Sequence, residues 1–299
     1  MQNANTRHTD FIIMADGEMW FEGILFPNVF KPEILRDIGD NFVVKNDDTI
    51  IVTYPKSGTN WLIEIVSLIY SKGDPQQIQT EPAWERSPWI ESNIGYEILL
   101  NQCGPRNYTT HLPIQLFPKT FFSSKAKVIY LIRNPRDVLV SGYFFFKELS
   151  IVKTPDKLQE YFELFLKGSV AYGSWFEHIR GWLSMREKKD FLLLSYEELK
   201  ENTRSTVEKI CEFLEKKLKP EEIDLVLKYS SFKYMKENQL SSNKQMIDHF
   251  KNKNLTFTRK GVTGDWKNHF TVAQAEVFDK IYRERMAGYP PKLFPWEDS

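Results

Sequence analysis

The stretch TIIVTYPKSGTNWLIEIVSLIY, residues 49–70, decides the fold class. Its first six residues, Thr49 to Tyr54, are β-branched, apolar or aromatic, and Pro55 ends the run. A near-continuous run of this kind fits a strand buried on both faces, as in a parallel sheet covered by helices. From Thr59 to Tyr70 the apolar residues recur at helical spacing, which predicts a helix. Between the two lies the turn Pro55-Lys56-Ser57-Gly58. Backbone N–H groups at such a turn and at the helix start point outward together, and the helix dipole favours negative charge there. Gly58 permits close backbone approach, Lys56 adds a full positive charge, and Ser57 and Thr59 add hydroxyl donors. The order differs from the GxxxxGK[ST] loop, because Lys56 precedes the turn's only glycine. Read alone, the turn is either a phosphate cradle or simply a turn.

Outward from this stretch the same alternation continues. KVIYLIR (127–133) and FLLLSY (191–196) read as further strands. Asn134 is placed to cap a helix with Pro135 at its first position, running to about Glu148. Helices are also predicted near 157–170, 173–186, 203–216, 220–229 and 271–287, and the polar, aperiodic 236–259 reads as a long loop. The fold class is α/β: a single domain with a central parallel sheet flanked by helices. Residues 1–18 are expected to form a disordered N-terminal extension before a domain spanning 19–299.

Lysine plus arginine and aspartate plus glutamate both number 40, so charge balance argues against global attraction to nucleic acid or anionic membranes. Aromatic residues make up 14%, which fits either an aromatic-rich core or an apolar cavity. Two cysteines, Cys103 and Cys211, stand far apart and outside any CxxC pattern. That argues against a disulfide framework or zinc site and fits a reducing, cytosolic compartment. The apolar piece at 11–14 is too short for a signal peptide, and no apolar run approaches the length of a membrane span.

Two more basic elements accompany the turn. Arg133-Asn134-Pro135-Arg136-Asp137 follows the second strand, with Ser141 one helical turn beyond Asp137. Parallel strands deliver their C-terminal ends to one edge, where Arg133 and Ser141 could grip a second phosphate. The plain alternatives are a surface Arg133–Asp137 ion pair and a Ser141 hydroxyl turned onto its own helix. Arg259-Lys260-Gly261 is either a third anion contact or a solvated turn. His111, in Tyr108-Thr-Thr-His111-Leu-Pro113, stands at the end of a strand before a proline-limited turn. An imidazole there suits proton removal, or else a cap or core role. His8, His178, His249 and His269 lack such context.

YPKSGTNW (54–61), RNPRDVLVSGYFF (133–145), FLLLSYEELK (191–200) and RKGVTGDWKNHFTVAQAE (259–276) together resemble the cytosolic sulfotransferase family. TNW in the loop and WERSPWIES (84–92) resemble its hydroxysteroid (alcohol and bile-salt) branch, and the likeness runs over about 19–297. The resemblance implies a phosphosulfate-binding loop and the donor 3′-phosphoadenylyl sulfate (PAPS), which leaves as adenosine 3′,5′-bisphosphate (PAP). It assigns Lys56, Ser57, Gly58, Thr59, Asn60 and Trp61 to the 5′-phosphosulfate and adenine side. Arg133, Ser141, Arg259, Lys260 and Gly261 would hold the 3′-phosphate, and Tyr196, Ser230 and Phe232 would line the adenine pocket. His111 falls at the general base. Lys56 would neutralise the leaving oxygen, Ser141 would steer Lys56, and Lys119 would lie near the transferred group. No carboxylate cluster of the kind that holds Mg²⁺ is evident, so no metal is expected.

Phe30, Trp84, Trp89, Tyr143, Phe145 and Tyr234 are the expected acceptor wall, a dry slot for a flat alcohol such as a steroid or bile acid. The loop at 237–257 departs from the branch by its polarity, with Asn243, Lys244, Asp248, Lys251 and Lys253, which favours a more polar or conjugated sterol or a weaker steroid preference. Lys267, Thr271, Val272 and Glu276 match the family's KxxxTVxxxE homodimer signature. Two rival readings are a small-molecule kinase and a non-catalytic lipid carrier. The first requires a Walker-type lysine and a metal-binding pair, neither of which is clear. The second requires loss of Lys56, His111 or Arg133, and all three are present.

Overall fold

The computed structural model describes residues 11–13, 18–241, 260–290 and 293–297. In chain order its strands are β1 (Phe11–Ile13), β2 (Met19–Phe21), β3 (Ile24–Phe26), β4 (Thr49–Thr53), β5 (Asn107–Thr110), β6 (Lys127–Ile132) and β7 (Phe191–Ser195). The last four form a parallel sheet in the order β5-β4-β6-β7. The register sets Val52 beside both Thr110 and Tyr130, and Ile132 beside Ser195.

The sheet has two apolar faces because its central strands carry few polar side chains. Ile50, Val52, Val128, Tyr130 and Ile132 enter one core, and Ile51, Ile129, Leu131 and Leu194 enter the other. This is the period-two alternation of a strand with both sides covered. Burying each such valine or isoleucine contributes about 2 kcal/mol. The helix Thr59–Tyr70 packs Leu62, Ile63, Val66 and Ile69 into the second core, and Trp175–Leu183 supplies Trp175, Phe176 and Trp182 to the first.

The predicted helices at Thr59–Tyr70, Pro135–Lys147 and Pro220–Tyr229 are present. The Asn134 side chain caps the second by accepting from the Arg136 N–H at 3.0 Å. The pattern did not give Pro32–Asn41, Asn93–Asn101 or Phe232–Glu237, which are helical. Phe11–Ile13, inside the stretch expected to be disordered, pairs antiparallel with β2. Most of the long polar loop, residues 242–259, lies outside the described residues, and with it Asn243, Lys244, Asp248, Lys251 and Lys253.

The topology gathers the chemistry at one edge. β4 runs into Lys56, β5 into His111, β6 into Arg133 and β7 into Tyr196. All four strands are parallel, so their C-terminal ends open onto a common crevice.

Candidate active site

That crevice is a cavity of about 620 Å³. One part of its wall carries Lys56, Gly58, Arg133, Ser141, Lys260 and Gly261; another carries Phe30, Trp84, Trp89, Phe145 and Tyr172; His111 lines it as well.

The polar part begins at the β4 turn. Gly58 has φ 108°, and a Cβ there would fall 2.7 Å from the Tyr196 ring, so only glycine fits. Lys56 is also left-handed, at φ 69°, in a conformation that costs a non-glycine residue about 1–3 kcal/mol. Among the described residues no side chain caps the helix Thr59–Tyr70, so the N–H groups of its first turn are placed to meet an anion. Thr59, Asn60 and Trp61 all line the cavity. Ser57 is fully buried under the turn and does not itself line the cavity; among the described residues its Oγ, and the enclosed atoms Trp61 Nε1 and Arg133 Nε of two half-buried wall residues, have no hydrogen-bond partner. Buried donors left unpaired in this way suit an anionic ligand rich in acceptors.

Arg133 is held in place rather than spent on an ion pair. Its guanidinium donates to Lys56 O at 2.9 Å and Val262 O at 3.0 Å, and lies 4.4 Å over the Tyr196 ring. The Asp137 partner considered for it is engaged elsewhere: its carboxylate accepts from the Gly264 N–H at 2.7 Å and the Trp266 N–H at 3.0 Å. Those bonds tie the C-terminal segment to the helix Pro135–Lys147 and so bring Lys260 and Gly261 to the wall. Gly261 has φ 67°, and a Cβ there would strike the Phe232 ring at 2.4 Å. Lys260 also pairs with Asp265 at 2.7 Å. Arg259 lies outside the described residues.

His111 stands between the Trp89 and Tyr172 rings, at 5.9 and 5.2 Å between centroids. Its backbone N–H donates to the buried Glu91 carboxyl at 2.7 Å. Its ring Nδ1 lies 2.8 Å from the Thr53 carbonyl. A carbonyl can only accept, so Nδ1 carries the proton and Nε2 is left as an acceptor. Burial, with a smaller push from the Lys56 charge, brings the imidazole down to about 4, against the Thr53 carbonyl, which favours the charged form. At neutral pH it is therefore an unprotonated base. Burial also raises the Glu91 carboxyl to about 7.

Three expectations about the walls are corrected. The Tyr143 hydroxyl donates to Asp156 O at 2.5 Å, with its ring toward Tyr161. It lies two residues from both Ser141 and Phe145, which share the cavity face of the helix, so it points away. Tyr234, two residues past the wall residue Phe232, is turned to Tyr229 and accepts from the Gln79 amide at 2.8 Å. The Ser230 hydroxyl donates back to Val226 O at 2.7 Å. None of the three lines the cavity. Lys119 is the fourth correction. It sits in the short turn Lys119–Ser123, 75% exposed, paired with Asp40 at 2.5 Å. Such an exposed pair contributes little. Lys119→Ala is expected to leave both kcat and the melting temperature essentially unchanged, which steady-state kinetics and a thermal melt would check.

The sequence reading missed Tyr172, Met235 and Lys200, all on the wall. Met235 is three residues past Phe232 and Lys200 four past Tyr196, so helical spacing from those two would have found them. Tyr172 lies between two predicted helices in a left-handed conformation, φ 68°, and no periodicity marks it.

Comparison with known proteins places this geometry. Residues 46–290 match the family model described as the sulfotransferase domain. The chain is 66% identical over 286 residues to the 3-beta-hydroxysteroid sulfotransferase of Cavia porcellus, covering 95% of this chain and 100% of that protein. It is 65% identical, with the same coverage, to the 3-alpha-hydroxysteroid sulfotransferase of that species. Among solved structures, mouse sulfotransferase SULT7A1 complexed with PAP is similar at TM-score 0.77 and 31% identity, covering 91% of this chain and 96% of that one.

Proposed function

This chain belongs to the sulfotransferase domain family, and from that premise we propose that it transfers a sulfuryl group from PAPS to the hydroxyl of a hydrophobic alicyclic alcohol of the hydroxysteroid class. One observation carries the reading: a single cavity joins an anion cradle to an aromatic slot, with a neutral imidazole on its wall. The wall residues Trp61 and Arg133, each with an unpaired N–H among the described residues, and the glycines at 58 and 261 fit a nucleotide bearing phosphates at two places. The mouse relative's PAP supports the same choice of ligand.

In this mechanism the residues of the β4 turn and the helix start hold the 5′-phosphosulfate. Arg133, Ser141, Lys260 and Gly261 hold the 3′-phosphate, with Tyr196 and Phe232 beside the adenine. His111 Nε2 takes the acceptor hydroxyl proton as that oxygen bonds to sulfur. The bond from sulfur to the bridging oxygen breaks, its electron pair stays on the phosphate, and PAP leaves. Lys56 neutralises the charge that grows on that oxygen. The remaining acceleration comes from holding the two substrates in line. Phe30, Trp84, Trp89, Phe145 and Tyr172 form the acceptor slot.

The acceptor class is tested by presenting 3α- and 3β-hydroxysteroids, bile acids and simple phenols with labelled donor sulfate. A preference for the alicyclic alcohols of at least tenfold in kcat/KM is expected. A preference for phenols would overturn the class.

Self-association belongs to the same proposal. Lys267, Thr271, Val272 and Glu276 are exposed around the start of the helix Val272–Arg285, with Val272 76% accessible. A small two-fold contact there fits a homodimer of modest interface. Cytosolic residence is the compartment proposed; among the described residues no helix is long and apolar enough to cross a membrane.

A further inference from the structure

Behind His111 lies a hydrogen-bonded path to the phosphate cradle. Thr53, the last residue of β4, is fully buried. Its Oγ1 lies 3.0 Å from His111 Nδ1 and 2.7 Å from Thr59 Oγ1. Thr59 opens the helix of the phosphate turn and reaches the cavity wall. The direction of the path follows from chemistry. Nδ1 is also 2.8 Å from the Thr53 carbonyl, which cannot donate, so Nδ1 bears hydrogen. The one Nδ1 hydrogen is shared between the Thr53 carbonyl and Thr53 Oγ1, and because a protonated Nδ1 cannot accept, the Thr53 hydroxyl hydrogen goes to Thr59. Thr59, accepting on its oxygen, has its own hydrogen left for an anion in the cradle.

We propose that Thr53 is a positioning residue that couples the base to the donor site through the one-way chain His111 Nδ1–H, Thr53 O–H, Thr59 O–H, donor phosphate. The inference rests on the sulfotransferase reading given above. No proton travels along the chain: the Nδ1 proton stays on the ring, and each hydroxyl keeps its own. What changes is polarisation. As Nε2 takes the acceptor proton the ring becomes cationic and Nδ1–H a stronger donor. Each hydroxyl along the path is then polarised toward the phosphate just as the phosphate gains charge from the broken bond. The chain is therefore strongest in the transition state, where a contact lowers the barrier rather than merely tightening binding. No carboxylate touches the ring nitrogens among the described residues, so Thr53 supplies the support that an acidic partner gives in other histidine bases.

The test is Thr53→Val, which replaces the hydroxyl by a methyl of similar size and keeps the carbonyl that fixes the tautomer. We expect kcat to fall about tenfold, the effect of one hydrogen bond made in the transition state, with acceptor KM and PAP affinity within about twofold. Thr53→Ser should restore most of the rate. Thr53→Val/Thr59→Val should be no slower than Thr59→Val alone, because one break already opens the chain. If Thr53→Val does not fold, Thr53→Ala carries the same comparison. A readout independent of turnover is the downfield imidazole N–H proton resonance that His111→Gln removes. It should shift when PAP binds the native chain and stay still in Thr53→Val. Full activity in Thr53→Val, losses that multiply in the double variant, or an unchanged PAP-induced shift would each overturn the coupling while leaving sulfuryl transfer intact. A native chain that binds PAP with the expected shift yet sulfates no alcohol would instead overturn the functional reading and leave the chain standing.

Discussion

His111→Ala is expected to lower kcat by about 10²- to 10⁴-fold, with PAP uptake by calorimetry unchanged within about twofold. The expected split follows from where His111 sits. Its Nε2 is the acceptor left by the Nδ1 contact to Thr53, whereas the proposed nucleotide cradle is built from the β4 turn, Arg133, Lys260 and Gly261. The pH profile gives a second check with a defined sign. Because burial holds the imidazole near 4, the basic form persists through neutral pH, and kcat/KM should fall only as pH drops toward 4. The same depression bears on stability. Between the ordinary imidazole value of about 6.5 and 4, the unfolded chain binds a proton that the folded chain refuses. This contribution is therefore full above 6.5 and is lost as pH falls through that window. An acid limb close to 6.5 would show that the ring is not desolvated in the free enzyme.

Lys56→Ala is expected to lower kcat by about 10²- to 10³-fold, the usual consequence of removing one donor aimed at developing charge. Lys56 stands in a turn whose left-handed backbone places it between β4 and the helix start, and its Nζ lies 3.6 Å over the Phe145 ring. The ammonium therefore sits where the anion cradle meets the aromatic slot. The effect should fall mainly on kcat, because the open N–H groups of the first helical turn and Arg133 still bind the ground-state phosphates. Pre-steady-state measurement of the transfer step alongside PAP affinity would check this. A variant that loses PAP affinity by the whole factor, with an unchanged transfer rate, would make Lys56 a binding residue only.

Much of the proposed donor half of the site was legible because its parts lie at strand ends and carry a local signature. The β4 turn and Arg133 after β6 could be found from apolar runs that stop at proline or arginine, whereas Tyr196 after β7 was marked for the site only by the family resemblance. The acceptor half was less legible. Aromatic residues near turns announce bulk but not direction, and direction decided the outcome. Ser141 and Phe145 face the cavity while Tyr143 between them does not, and Phe232 faces it while Tyr234 does not. Lys119 was assigned by the family resemblance alone, with no local signature behind it; it is exposed, off the cavity wall and paired with Asp40. β5 was legible only at its end, where His111 was read as closing a strand, and the helix Asn93–Asn101 escaped the pattern. Asn107-Tyr-Thr-Thr110 is short and largely polar, and its strand character comes from pairing with β4 rather than from its own composition. The Thr53 path was invisible in sequence, since it depends on which face of β4 the threonine takes.

The most direct measurement of the central claim is a single-turnover reaction of the native chain with PAPS labelled in the sulfuryl group and a 3-hydroxysteroid. The label should pass to the steroid oxygen with one PAP formed for each steroid sulfated. Label that remains on the nucleotide, or appears only as free sulfate at a rate indifferent to the steroid, would contradict it.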